Sequence, residues 1–259
     1  MREFHLEGLW VRVADDRAEL GRLAGREAAD ALRKALKVKD EVRVVFAAAP
    51  SQNETLEELA SARDLDWSRV VALHMDEYVG LPVGSPARFS RYLRDRLFDR
   101  LPFKAVRLID EEDGSNVDQI LRRVEALLAE APIDLVCLGV GENGHIAFND
   151  PHVADFNDPK SVKLVSLDDQ CRRQQVNDGC FPSFDATPER AITLTIPTLV
   201  SAPRLVCAVP GVLKARAVKG MLLEPVAEKC PATILRTRPR VDLFLDKDSF
   251  SLCENAGLL

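Results

Sequence analysis

The chain has 259 residues, 46% hydrophobic and 29% charged, with a net charge of −6. That is ordinary globular composition, enough for one large domain or two small ones, and it excludes the collagenous and low-complexity classes. The acidic balance argues against bulk attraction to nucleic acid or an anionic membrane, so an anionic substrate would need a local basic cluster.

The opening stretch, MREFHLEGLW, carries two acids and no long apolar core, so it does not read as a secretory signal. The apolar runs fall far short of the ~20 residues of a membrane helix. Six cysteines stand at 137, 171, 180, 207, 230 and 253, with no CxxC. Small reduced thiols in a cytoplasmic protein are expected, with no disulfide framework and no metal site.

Residues 15–36 repeat apolar side chains at three- and four-residue spacing, which predicts a helix capped by Asp15 or Asp16. A buried strand follows at 42–49, then a helix at 53–63 with Glu54, Glu57 and Glu58 in its first turns, where the dipole favours acids. The next elements are a strand at 70–75, a helix at 87–101 behind Ser85-Pro86, a short strand at 106–109, a helix at 115–130 and a strand at 133–138. Beyond them lie strands at 162–165, 191–196 and 204–209, a helix near 213–222 and a last strand at 241–245. The alternation argues for an α/β fold, Rossmann-like, with a mostly parallel sheet covered on both faces, as a single domain over 1–259.

Ligands of such sheets sit beyond the carboxyl ends of the strands. Three loops there carry polar residues: Pro50-Ser51-Gln52-Asn53, His74-Met75-Asp76-Glu77-Tyr78, and GVGENGHIAFNDP after the fourth strand. The last contains Gly139-x-Gly141-x-x-Gly144, the spacing of a dinucleotide fingerprint. That fingerprint needs a long helix to follow, and Asn149-Asp150-Pro151 forbids one, so the glycines read as a tight turn. Their backbone N–H groups could approach an anion. His145 could take or give a proton at neutral pH, with Asn143 or Asp150 fixing its tautomer. The competing reading of His145 is a core histidine bonded to a carbonyl. Asp76 stands at a strand terminus, where a desolvated carboxylate can accept a carbon-bound proton, and Glu77 should point the other way. For an anion, Arg172, Arg173 and Lys214 are the cationic candidates. The arginines could equally form a solvated helix face. Ser51 could offer a hydroxyl and a helix N-terminus, or simply cap that helix.

MDEYVGLP (residues 75–82) and GENGHIAFNDP (residues 141–151) resemble the two signature segments of the glucosamine-6-phosphate deaminases, and PG-x-x-K at 210–214 extends the resemblance in order. The resemblance implies a Rossmann-like fold and conversion of glucosamine 6-phosphate to fructose 6-phosphate and ammonia without metal or nicotinamide. It implies that His145 opens the sugar ring, that Asp76 carries a proton between C2 and C1 through a cis-enolamine, and that Asn143 and Asp150 hold His145. Lys214 would bind phosphate, with Ser51, Gln52 and Gly141 also at the substrate. The chain departs from the family pattern at four places. Asn143 stands where many relatives have Asp, and Asp150 where many have Glu. The phosphate loop reads AAAPSQNE, and the family's phosphate-binding arginine falls at Gln175, so Arg172 or Arg173 would substitute. Galactosamine 6-phosphate is an alternative substrate. 6-Phosphogluconolactonase shares the fold but is disfavoured by MDEY and GHIAFNDP, and a non-catalytic sugar-phosphate sensor would be expected to lose His145 or Asp76. The expected partner is a small sugar phosphate, with no cofactor, no nucleic acid and no membrane; a homo-oligomer remains open.

Overall fold

The computed structural model describes residues 1–109 and 116–258. In chain order its elements are β1 (Arg2–Leu6), β2 (Leu9–Ala14), α1 (Arg17–Leu36), β3 (Val42–Phe46), α2 (Asn53–Ala60), β4 (Val70–His74), β5 (Asp76–Tyr78), α3 (Phe89–Arg96), β6 (Ala105–Arg107), α4 (Val117–Glu130) and β7 (Leu135–Leu138). There follow β8 (Val162–Ser166), α5 (Asp169–Asn177), β9 (Arg190–Leu194), α6 (Ile196–Val200), β10 (Arg204–Val209), α7 (Ala215–Leu223), β11 (Val241–Asp246) and α8 (Lys247–Phe250). No helix is long and apolar enough to cross a membrane among the described residues.

Eight strands form one sheet in the order β1-β2-β11-β10-β7-β3-β4-β6. Every pairing in it is parallel except that of β1 with β2. Alternate residues of the central strands face two separate cores. In β7, Val136 and Leu138 join one core, while Leu135 and Cys137 join the other. This is why β3, β7 and β10 are nearly continuous apolar runs: both faces are covered, by α1 and α2 on one side and by α4 and α7 on the other. Burial of Cys137 and Cys207 agrees with their expected place in strands, and all six cysteines are free thiols.

The predicted elements hold in type and shift at their ends. Asp16 is the cap of α1, its carboxylate accepting from Glu19 N at 2.8 Å. The predicted strand at 42–49 stops at Phe46, because Ala47–Ala49 turn away into the site loop. The helix expected from 87 begins only at Phe89. Ser85 does not cap it: the Glu77 carboxylate accepts from Phe89 N at 3.1 Å and Ser90 N at 2.9 Å. Residue 115, the expected start of α4, lies outside the described residues, and Asn116 forms the capping box there.

Two features of the sheets went unforeseen. The β1–β2 hairpin extends the sheet edge. β8 and β9 do not join the main sheet; they pair antiparallel with each other and with β5 in a three-stranded sheet beside it. This small sheet registers Asp76 opposite Thr193, and so fixes where the Asp76 carboxyl stands.

Candidate active site

Strand order reverses at β3 and β7. From β3 the chain builds outward through β4 and β6, and from β7 it builds the other way through β10 and β11. Loops leaving neighbouring strands at such a switch diverge and leave a crevice. The cavity there is about 500 Å³ including its open mouth, and is walled by Ala47, Ser51 and Gln52 after β3, Met75 and Asp76 after β4, Gly139, Gly141 and His145 after β7, and Lys214 after β10.

Asp76 is buried on this wall, and among the described residues no hydrogen bond restrains its carboxylate. Burial, with the Glu77 charge beside it, pushes its pKa well above the usual carboxylate range. Glu77 points away, as strand alternation requires, and holds α3 with Arg88 3.8 Å away. The two adjacent acids therefore have separate tasks.

Opposite Asp76, the loop after β7 turns twice. Gly144 adopts φ +86°, and Gly141 N donates to His145 O at 2.9 Å. A Cβ on Gly141 would lie 2.2 Å from the His145 ring, so only glycine lets the imidazole lie against the backbone. No helix follows, and the tight-turn reading of the three glycines holds. Asn149 is fully buried and donates to Leu194 O at 2.9 Å, riveting the loop to β9.

His145 Nδ1 lies 2.9 Å from Asp150 Oδ1. Asn143 bridges the pair: its Oδ1 accepts from His145 N at 3.0 Å and its Nδ2 donates to Asp150 Oδ1 at 3.0 Å and to Asp168 Oδ2 at 3.1 Å. Asp168 N donates to Asp150 Oδ2 at 3.3 Å. Burial works to raise the Asp150 pKa, but the His145 and Asn143 hydrogen bonds, the His145 charge and the Asp168 N–H outweigh it and hold it below the ordinary value. An ionised Asp150 keeps the proton on Nδ1 and leaves Nε2 for a ligand. Asp168, which also caps α5 by accepting from Cys171 N at 2.6 Å, escaped the sequence reading. Its Asp-x-x-Cys position ahead of a short helix was the one available signal.

The far end of the cavity is polar. Lys214 is buried, follows the turn opened by Gly211, and has no ion pair among the described residues. Burial pulls its pKa down, against the pull of Asp178 and Glu142. Ser51 lines the same wall in the turn Pro50–Gln52. Gln52 is committed to structure: its amide donates to Ala208 O at 3.1 Å and Ser51 Oγ at 3.2 Å. Gln174 and Gln175 complete the wall, and Gln174 accepts from Glu142 N at 2.8 Å.

The two arginines are elsewhere. Arg172 donates to Phe184 O at 3.1 Å and Thr187 O at 3.0 Å and stacks on the Phe184 ring. Arg173 is exposed over the same ring. On α5, Gln174 and Gln175 occupy the face turned to the cavity, so neighbouring Arg172 and Arg173 turn outward. Neither substitutes for a pocket cation in this structure.

Two trios, His145–Asp150–Cys171 and Asp150–His152–Asp168, bring potential ligand atoms within 4.8 Å of one another. Their shared carboxylate already accepts from Asn143 Nδ2 and Asp168 N, and His145 Nδ1 stands 2.9 Å from it as an ion-pair partner. Both trios therefore read as a hydrogen-bond network.

Residues 15–243 match the family model described as glucosamine-6-phosphate isomerases/6-phosphogluconolactonase. A glucosamine-6-phosphate deaminase of Bacillus cereus is 38% identical over 192 residues, 74% of this chain and 71% of the relative. A monomeric glucosamine-6-phosphate deaminase of known structure superposes with a TM-score of 0.84 at 28% identity, over 93% of this chain and 99% of that one. A 6-phosphogluconolactonase from Thermotoga maritima shares the fold, with a TM-score of 0.74 at 20% identity over 92% of this chain and 100% of that one.

Proposed function

This chain belongs to the glucosamine-6-phosphate isomerase/6-phosphogluconolactonase family, and we propose that it is a glucosamine-6-phosphate deaminase. It converts glucosamine 6-phosphate and water to fructose 6-phosphate and ammonia. The observation that carries this reading is the single cavity walled by Asp76, His145 and Lys214, three groups from distant parts of the chain.

Each group has a task that its surroundings suit. His145 Nε2 takes the proton of the C1 hydroxyl and returns it to the ring oxygen, so that the pyranose opens. The Asp150 carboxylate stabilises the imidazolium formed in between. Asp76 then removes the C2 proton and delivers it to C1, and the double bond moves through a cis-enolamine to an imine at C2. Water adds to that imine carbon, and ammonia leaves as the C2 ketone forms. A carboxylate with few donors is the stronger base, and burial of Asp76 supplies that property. The substrate's ammonium group, one bond from C2, offers the counter-charge that would keep Asp76 ionised in the complex.

The phosphate lies against Lys214, Ser51 and the backbone of the turn Pro50–Gln52, with Gln175 as a neutral donor. In this reading one buried cation replaces a lysine–arginine pair, and Arg172 and Arg173 contribute nothing direct.

The test is a coupled assay of ammonia release from glucosamine 6-phosphate and galactosamine 6-phosphate, with hydrolysis of 6-phosphogluconolactone as the control. Faster ammonia release from the glucosamine epimer is expected. Lactone hydrolysis without ammonia release from either amino sugar would refute the proposal.

A further inference from the structure

Behind the dyad, Cys171 stands in the first turn of α5. It is 1% exposed, and its Sγ lies within 4.8 Å of both the Asp150 oxygen and a His145 ring nitrogen. Its backbone N–H is held by Asp168 Oδ1, and Asp168 N–H in turn reaches Asp150 Oδ2. The helix start therefore brings a backbone N–H onto the carboxylate and, from the same turn, a thiol within 4.8 Å of it.

We propose that Cys171 is a positioning residue for the reaction. Its S–H donates to Asp150 and limits how strongly that carboxylate draws the imidazole proton. This inference rests on the deaminase reading. The thiol stays protonated, since burial and the neighbouring Asp150 and Asp168 charges both oppose a thiolate. It is therefore a donor and not a nucleophile. The arrangement balances Asp150 between donors: Asn143, Asp168 and Cys171 hold it as an anion, and each one weakens its pull on Nδ1–H.

Other titratable groups surround this network. Asp76 and Lys214 face it across the cavity, with Glu142 beside the loop. Tyr78 on β5 adjoins Cys171, His152 adjoins Asp168 and Asp150, and the Cys230 thiol backs Gly144. None of them changes in a Cys171 variant, so a shift at His145 reports on the thiol.

The experiment follows the His145 ring by NMR titration in the unliganded protein, and kcat/KM for ammonia release, in wild type, Cys171→Ala and Cys171→Ser. Removing the donor in Cys171→Ala should raise the imidazole pKa by about 0.5 unit, the scale of one weak hydrogen bond to a charged group. It should lower kcat/KM about threefold, with KM nearly constant. Cys171→Ser restores a donor and should return both values toward wild type. Should Cys171→Ala fail to fold, Cys171→Val supplies the donor-free comparison. An imidazole pKa unchanged without the thiol, or a Ser variant displaced as far as the Ala variant, would overturn the proposal. Absence of ammonia release by the wild type would instead end the deaminase reading, and the imidazole titration would still decide whether the thiol acts on the dyad.

Discussion

The two sides of the cavity treat a buried carboxylate in opposite ways. On the β5 side, Asp76 is buried beside a second acid with no donor to hold it among the described residues, and its pKa is driven up. On the side of the loop after β7, Asp150 is buried just as deeply but surrounded by donors, and its pKa is driven down. Burial alone thus does not decide the protonation behaviour of an acid; the count of donors around it does. In the proposed reaction the first is the carboxylate poised as a base, while the second stays ionised to lower pH than an ordinary carboxylate.

Asp76→Asn is the sharpest way to break this contrast. It should lower kcat by about 10³-fold or more while KM stays within a few-fold, measured by ammonia release, because the substitution removes the proton carrier and keeps the shape. Near-normal turnover would remove Asp76 from the chemistry. The acid limb of kcat/KM in wild type should also lie above the ordinary ~4 of a carboxylate, since the base must be ionised and its pKa is raised.

Asp150→Asn tests the other side. We expect a loss of about 10²-fold in kcat, because a neutral amide can neither fix the imidazole tautomer nor stabilise its charged form. A loss smaller than that of a Cys171 variant would show that the anion is not needed. Lys214→Met should act mainly through KM, with kcat/KM falling about 10- to 100-fold for one charge-assisted hydrogen bond removed from phosphate. An equal loss with an unphosphorylated amino sugar would argue against phosphate as its partner.

Stability separates the two acids with opposite signs. The folded-state pKa of Asp150 is depressed, so its contribution is present above the unfolded pKa and is lost as pH falls through the folded one. The folded-state pKa of Asp76 is raised, so its ionisation costs stability as pH rises through that value. Asp76→Asn should therefore raise Tm at neutral pH by about 2–4 °C, and Asp150→Asn should lower it, read by thermal unfolding. A lower Tm for Asp76→Asn would contradict the account of that site. The smallest effect is expected at Arg173→Ala: kcat/KM should change less than about twofold, because the side chain is exposed outside the cavity.

The local parts of this molecule were legible in its sequence. Periodicity marked α1, and the run of apolar residues marked β3, β7 and β10, because burial of one or both faces writes itself into spacing. Asn149-Asp150-Pro151 ruled out a nucleotide-binding helix, and the neighbouring motifs named His145 and Asp76. Tertiary structure alone decided which partners those residues meet. Register in the three-stranded sheet set the position of Asp76. The orientation of α5 turned Gln174 and Gln175 inward and Arg172 and Arg173 outward. The same helix brought Asp168 and Cys171 up against a carboxylate that precedes it in the chain. Such choices depend on how whole elements pack, and the packing of distant elements leaves no periodic trace along the chain.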